Sequence, residues 1–350
     1  MFHRLILGPF IFLVASSCGG AEQSDALSEL LPHQRLLAGF AESTPLPTGP
    51  WKGVGESTPK RLALVSRERE LLALARTDPS PVTHRMLGSL YTTVGEGERG
   101  LAFLAHSLSN DPSDAEAWTW LGANRLDHGN FDQAITLLEH ASSLAPTDTH
   151  SLSFLGISYM RFDDLVGARR AFEKALAIDP EHNDALVPLA SLLEDEGDLE
   201  GALTHLLVAN RVLPNQATTL FRLARVSEDL GQAEAATEFR LAHERVRVLE
   251  DLGLLGPSIS EVQRRVSLGI HYLESGRAQE AIPEFDYALQ FDAESNVRIN
   301  ALLGRALCML ALKRFDDAEQ AIEAFSQFQP GHPEVLKLKA RLATAREAGE

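Results

Sequence analysis

Cysteine is almost missing from this chain: Cys18 and Cys308 are the only 2 in 350 residues, too few for a disulfide framework. Cys308 falls in the apolar run 301–312 and reads as a small buried hydrophobe. Positive charge is short as well. The formal net charge of −17 leaves no electrostatic footprint for DNA, RNA or an anionic lipid surface, so no nucleic-acid partner is expected. The acid excess instead suits a soluble helical surface. Catalytic and metal signatures are missing too: there is no H-E-x-x-H, no P-loop lysine and no paired-cysteine metal spacing. The 12 histidines are scattered, and acid pairs such as Asp163-Asp164 and Glu194-Asp195 fit solvated helix ends. Gly95-Glu96-Gly97-Glu98-Arg99-Gly100 matches G-x-G-x-x-G, but Glu96 and Glu98 would repel a pyrophosphate and no strand precedes it. The expectation is a non-enzyme without cofactor or metal.

No apolar run near the start is long enough to cross a bilayer, which takes about 20 residues. Leu5–Ala15 spans 11. With the basic Arg4 before it and small residues after it, the segment reads as a secretory signal. Ala15-Ser16-Ser17-Cys18 resembles the lipobox of bacterial lipoproteins, in which the signal is cut before the cysteine and lipid is added there. That resemblance implies lipidation of Cys18 and a multi-chain anchor, which holds where one chain is marginal. Gly19 is not the Asp that resembles an inner-membrane retention signal, so the outer membrane, facing the periplasm, is the expected location. An ordinary secretory signal with an incidental cysteine is the alternative.

What the chain does have is a repeat. Pro112, Pro146, Pro180 and Pro214 are each 34 residues apart, and so are Leu87, Leu121, Leu155, Leu189 and Leu223. Gly88, Gly122, Gly156, Ala190 and Ala224 follow the leucines, and Gly100, Ala134, Ala168, Ala202 and Ala236 form a fourth column. A fixed period of this length marks a repeat architecture. Small residues in two columns let paired helices approach closely, large apolar residues fill the gap, and Pro ends each unit because it cannot continue a helix. Ser113-x-x-Glu116 has the form of a capping box.

The columns resemble the tetratricopeptide repeat (TPR). Residues 149–182 carry the fullest copy: Leu152, Leu155, Gly156, Tyr159, Ala168, Phe172, Ala175 and Pro180. The resemblance implies an all-α fold, a right-handed TPR superhelix of about seven helix-turn-helix repeats with capping helices. The chain then divides into a lipoprotein signal at 1–17 and a flexible tether at 18–57, rich in Pro and Gly and holding Trp51. A capping helix or half repeat at 58–80 leads into five repeats at 81–250. A break or hinge at 251–261 is followed by two repeats at 262–332 and a capping helix at 333–350. The copy at 217–250 puts Arg240 and His243 where apolar residues belong, which weakens its second helix as a core element.

In the resembled fold the first helices line a concave groove through fixed positions. Carried onto this chain, these include Arg85, Thr119, Trp120, Phe154, Ile157, Met160, Arg161, Glu194, Asp195, Phe221, Arg225, Glu228 and Asp229. The Lys and Asn pair by which some members clamp a terminal carboxylate is missing. An apolar pocket at Trp120, Phe154, Ile157 and Met160 beside acidic Glu194, Asp195, Glu228 and Asp229 would suit a partner segment with an apolar anchor and basic residues. Equally, Trp120 and Phe154 could only pack between neighbouring helices. The functional expectation is a lipid-anchored protein-protein interaction scaffold supporting assembly of a cell-envelope complex. The alternative is an adaptor that recruits or regulates a periplasmic hydrolase.

Overall fold

A computed structural model describes residues 31–43, 46–47, 59–256, 259–291 and 295–349. The signal segment 1–17, Cys18, Trp51 and Pro257 lie outside the described residues. Within them the repeat period becomes a period of helix starts. Five first helices begin at Pro81, Ala115, Thr149, Asn183 and Ala217. They are α3 (Pro81–Thr93), α5 (Ala115–Asp127), α7 (Thr149–Arg161), α9 (Asn183–Glu196) and α11 (Ala217–Asp229). Their second helices are α4 (Gly97–Asn110), α6 (Phe131–Leu144), α8 (Leu165–Ile178), α10 (Leu199–Val212) and α12 (Ala233–Asp251). Before them come α1 (Pro32–Ser43) and α2 (Pro59–Thr77); after them come α13 (Glu261–Glu274), α14 (Ala278–Leu289), α15 (Ser295–Ala311), α16 (Phe315–Phe328) and α17 (Pro333–Gly349). No strand occurs among the described residues. The fold is an all-α solenoid of stacked hairpins, and its contacts divide it into two compact units, one up to Pro214 and one from Asn215.

Two columns explain each hairpin. A Cβ placed on Gly88 would stand 2.5 Å from Leu104 Cγ, on Gly122 2.5 Å from Leu138 Cγ, and on Gly156 2.5 Å from Phe172 Cε1. Glycine at the eighth place is therefore a seat for one large side chain of the second helix. The tight turn sits at the fifteenth place, where Gly95, Gly129, Gly197 and Gly231 all have positive φ. Asp163 holds the same register with φ +69, a left-handed conformation that Asp tolerates better than most residues. Its neighbour Asp164 caps α8 by accepting the Gly167 N–H at 2.9 Å. The acid pair thus shapes a turn and a helix start.

The capping box expected at Ser113 is displaced by one residue. Asp114 is the N-cap of α5 and accepts from Ala117 N–H at 3.1 Å, while the Ser113 hydroxyl donates to Asp111. The shift has a tertiary cause, since Asp114 also receives Arg85 at 2.8 and 2.9 Å from the preceding repeat. A true capping box forms at Ser260 and Gln263, at the head of α13. Pro188 and Pro283 each stand sixth in their helices, in the second turn rather than the first.

In the first unit, α1 departs from the expected tether. Residues 32–43 form a helix with Leu37 and Ala38 buried, lying against the second helices α4 and α6. Pro32 is its first helical residue, where the missing N–H costs least. Leu37 joins a core with Leu104, Leu108, Trp118, Leu121 and Leu137. The His33 ring stacks on His140 at 3.6 Å, and both meet the Trp118 edge. Burial, and then the neighbouring His140, push His33 down from 6.5 to about 4. Because the folded value is depressed, the unfolded chain binds the extra proton first, so stability is full above 6.5 and falls as pH drops toward 4. A thermal melt at about pH 7.5 and about pH 5 should therefore show a smaller loss in His33→Phe than in the wild-type chain. Equal losses in both would detach the helix from this histidine.

In the second unit, α13 and α14 pair as the sixth hairpin, α12 meets α13 across the fifth-to-sixth boundary, and α17 packs on α15 and α16. The long α12 buries only Ala236 and Val246. Arg240 is exposed and pairs with Glu228, and His243 lies on the exposed Phe221 at 5.6 Å. Polar residues at apolar columns leave that helix with a thin core face. The connector after it is held by Arg264, which donates to Leu254 O at 3.0 Å and Gly256 O at 3.1 Å. Cys308 is fully buried, and burial pushes its thiol up to about 12, which keeps it unreactive.

Candidate functional site: the first-helix face

First helices α5 and α7 touch directly, and their contact brings together the two aromatic residues expected in the groove. The Trp120 and Phe154 ring centroids are 6.4 Å apart at a 53° tilt, within the range of a favourable aromatic pair. Each is half-buried. Trp120 leans on the core around Trp118, while Phe154 leans on Leu138 and Leu155. The pair has one side in the core and another toward solvent, so packing and recognition share the same rings. Ile157 and Met160, also half-buried, and exposed Arg161 continue along α7. In the last turn of α9, Glu194 is half-buried and Asp195 exposed.

Four further expected residues belong to the second unit and are described there by themselves. Phe221 is 53% exposed, and Arg225, Glu228 and Asp229 are exposed on the same helix, α11. Phe221 rests on His243 and Glu228 faces Arg240, so α11 and α12 share these side chains.

Two positions carried over as groove residues serve the stack instead. Arg85 clamps Asp114 and reaches Glu116 at 3.1 Å. Thr119, in the same register one repeat on, is buried and donates to Ala115 O at 3.0 Å and Asp148 at 3.4 Å. Asp114 and Asp148 are the N-caps of successive first helices. The fifth place of one repeat therefore fastens to the cap of the next, a tie between residues 29 apart that no local pattern displays.

The glycine-rich segment at 95–100 joins two helices. Gly95 makes the left-handed turn with φ +81. A Cβ on Gly97 would fall 1.7 Å from the His128 ring, and one on Gly100 2.5 Å from Thr92 Oγ1. Asn124 donates to Gly97 O at 2.8 Å, so these glycines admit the next repeat. Among the described residues no group of three or more His, Cys, Asp or Glu side chains could hold a metal ion. None of the described helices is long and apolar enough to cross a membrane.

Family models described as tetratricopeptide repeat match residues 159–218 and 272–342, and a second such model matches 121–183. No curated protein matches the chain. Among solved structures, MamA (MSR-1 C2) is 20% identical with a TM-score of 0.40, covering 49% of this chain and 98% of that one. Pseudomonas aeruginosa pilF is 19% identical with a TM-score of 0.37, covering 66% of this chain and 98% of that one. YrrB, a TPR protein with an unusual peptide-binding site, is 19% identical with a TM-score of 0.40, covering 50% and 91%. The family matches and the stacked helical hairpins together identify tetratricopeptide repeats in this chain, at residues 121–218 and 272–342.

Proposed function

We propose that this chain is a non-enzymatic scaffold, anchored by lipid at Cys18 in the bacterial cell envelope, whose first-helix face holds partner segments during assembly of an envelope complex. Tetratricopeptide repeats are protein-interaction modules, which supports the scaffold reading. The anchor rests on the charged start, the 11-residue apolar run and the small residues ahead of Cys18. One observation carries the choice of face: Trp120 and Phe154 come together across two repeats while each stays partly exposed. Half-exposed aromatic anchors are the side chains that dominate binding energy at interfaces.

Alanine at both Trp120 and Phe154 should cut partner capture from crosslinked membranes at least tenfold, equivalent to about 1.4 kcal/mol. The accompanying stability loss should stay well below the ~3–5 kcal/mol of a fully buried aromatic. A large drop in melting temperature with capture unchanged would show that the rings only pack. For the anchor, Cys18→Ser should release the chain from the membrane and remove its lipid label.

A further inference from the structure

The eleventh place of each first helix lies beside the helix that precedes it, and the repeats of the first unit fill that place in three ways. In α3 it is Tyr91, whose hydroxyl donates to Glu68 at 2.6 Å. In α7 it is Tyr159, whose hydroxyl donates to Glu139 at 2.5 Å. In α5 it is Arg125, and there α1 supplies the ring: Phe40 stacks under the guanidinium at 5.1 Å. In α9 it is Leu193, and among the described residues no Phe, Tyr or Trp ring lines the groove. A cavity of about 430 Å³ remains between α8 and α10, floored by Leu189 and Leu193 and walled by Arg169, Glu173 and His205.

This cavity lies two repeats beyond the groove that α1 occupies, with Leu189 in the register of Leu121 and His205 in that of Leu137. Both leucines are fully buried beneath α1. Glu173 stands in the register of Glu139, the acceptor of the Tyr159 hydroxyl. Its carboxylate faces Arg169 at 3.6 Å instead. The groove thus keeps the acceptor and the apolar floor of a tyrosine seat, while none of the described residues supplies the aromatic ring that would fill it. Arg169 is already engaged by Glu196 as well as Glu173, and Asp198 adds a further acid to the wall.

We infer that the α8–α10 groove is a second docking surface, which takes a tyrosine from an amphipathic helix of a protein partner. The helix lies as α1 lies in its own groove, the tyrosine hydroxyl donates to Glu173, and a flanking Lys or Arg meets the acidic wall. Helix-in-groove recognition of this kind reads apolar anchors at helical spacing. The surface is separate from the Trp120–Phe154 face, so either can fail alone.

The probe is a fluorescein-labelled peptide of residues 31–43 carrying Phe40→Tyr, titrated by anisotropy against the full chain. Saturable binding is expected, weakened at least tenfold by Leu193→Tyr, which restores the repeat's own ring opposite Glu173. The parent peptide with Phe40 should bind several-fold more weakly, and the Trp120/Phe154 double alanine should bind the probe normally. Should Leu193→Tyr fail to give a wild-type circular dichroism spectrum, Ala177→Trp decides, since Ala177 is exposed at the cavity rim and a ring there blocks entry. No saturable binding, or binding that neither groove variant weakens, overturns the inference. Loss only in the Trp120/Phe154 variant also overturns it, because the peptide would then be held on the other face.

Discussion

Trp118→Ala should be among the most destabilising single changes in the first unit, at about 3–5 kcal/mol. The indole is 1% exposed and packs with Leu104, Leu108, Leu121 and Leu137 in the core that α1 completes. Its Nε1–H donates to Pro112 O at 2.9 Å, tying the helix to the proline that ends the previous repeat. Its edge supports both His33 and His140. Truncation leaves a void that the hairpins on either side cannot close, removes a part-buried hydrogen bond, and takes a wall from α1. Trp118→Phe separates these terms: most of the apolar area returns, while loss of the part-buried bond to the Pro112 carbonyl keeps a cost of about 1 kcal/mol. Urea unfolding of the full chain, followed by helical signal, reads both. A cost under about 1 kcal/mol for the alanine variant would mean that the cluster repacks freely, contrary to a close-packed interior.

The second large effect belongs to the other unit. Glu284 is fully buried on α14, bridged by Arg245 at 2.7 Å and Arg265 at 2.8 Å. Arg265 also holds Glu261 at 2.9 Å and lies over the Tyr287 ring at 4.5 Å. Glu284→Ala should cost about 3 kcal/mol, the lower part of the range for breaking a buried pair. The lower part applies because the arginine side chains are 35% and 25% exposed and can partly rehydrate. Replacing Glu284 and Arg265 together by leucine should recover much of the loss, since an apolar pair avoids the desolvation cost. If Glu284→Ala were neutral, the network would not be holding α12, α13 and α14 together.

Much of this architecture was legible in the columns. Helix starts at 81, 115, 149, 183 and 217 follow the prolines and leucines, and Gly88, Gly122 and Gly156 foretold seats for large side chains. These features repeat because every hairpin solves the same packing problem, so each solution recurs at a fixed interval. The fate of α1 was not legible. Its apolar spacing is weak, its Pro32 reads equally as a breaker or as a first helical residue, and the groove it fills lies about 60–110 residues away in sequence. The same distance hid the His33–His140 stack, and a separation of 29 residues hid the tie from Arg85 to Asp114. Trp120 and Phe154 came from the resemblance and do meet, but nothing in the sequence said that each ring would be shared between core and surface.

The sequence by itself determined the repeat, its length, the helical class and the positions where helices must touch, because those depend on local propensity and on side-chain size at a fixed period. Only the tertiary structure decided which of the non-consensus residues matter. Arg125 and Leu193 are both departures from tyrosine in one column, yet among the described residues one groove is closed by α1 and the other is left unfilled. The physical reason is that filling a groove depends on volume brought from elsewhere in the chain, and no local pattern records where that volume comes from.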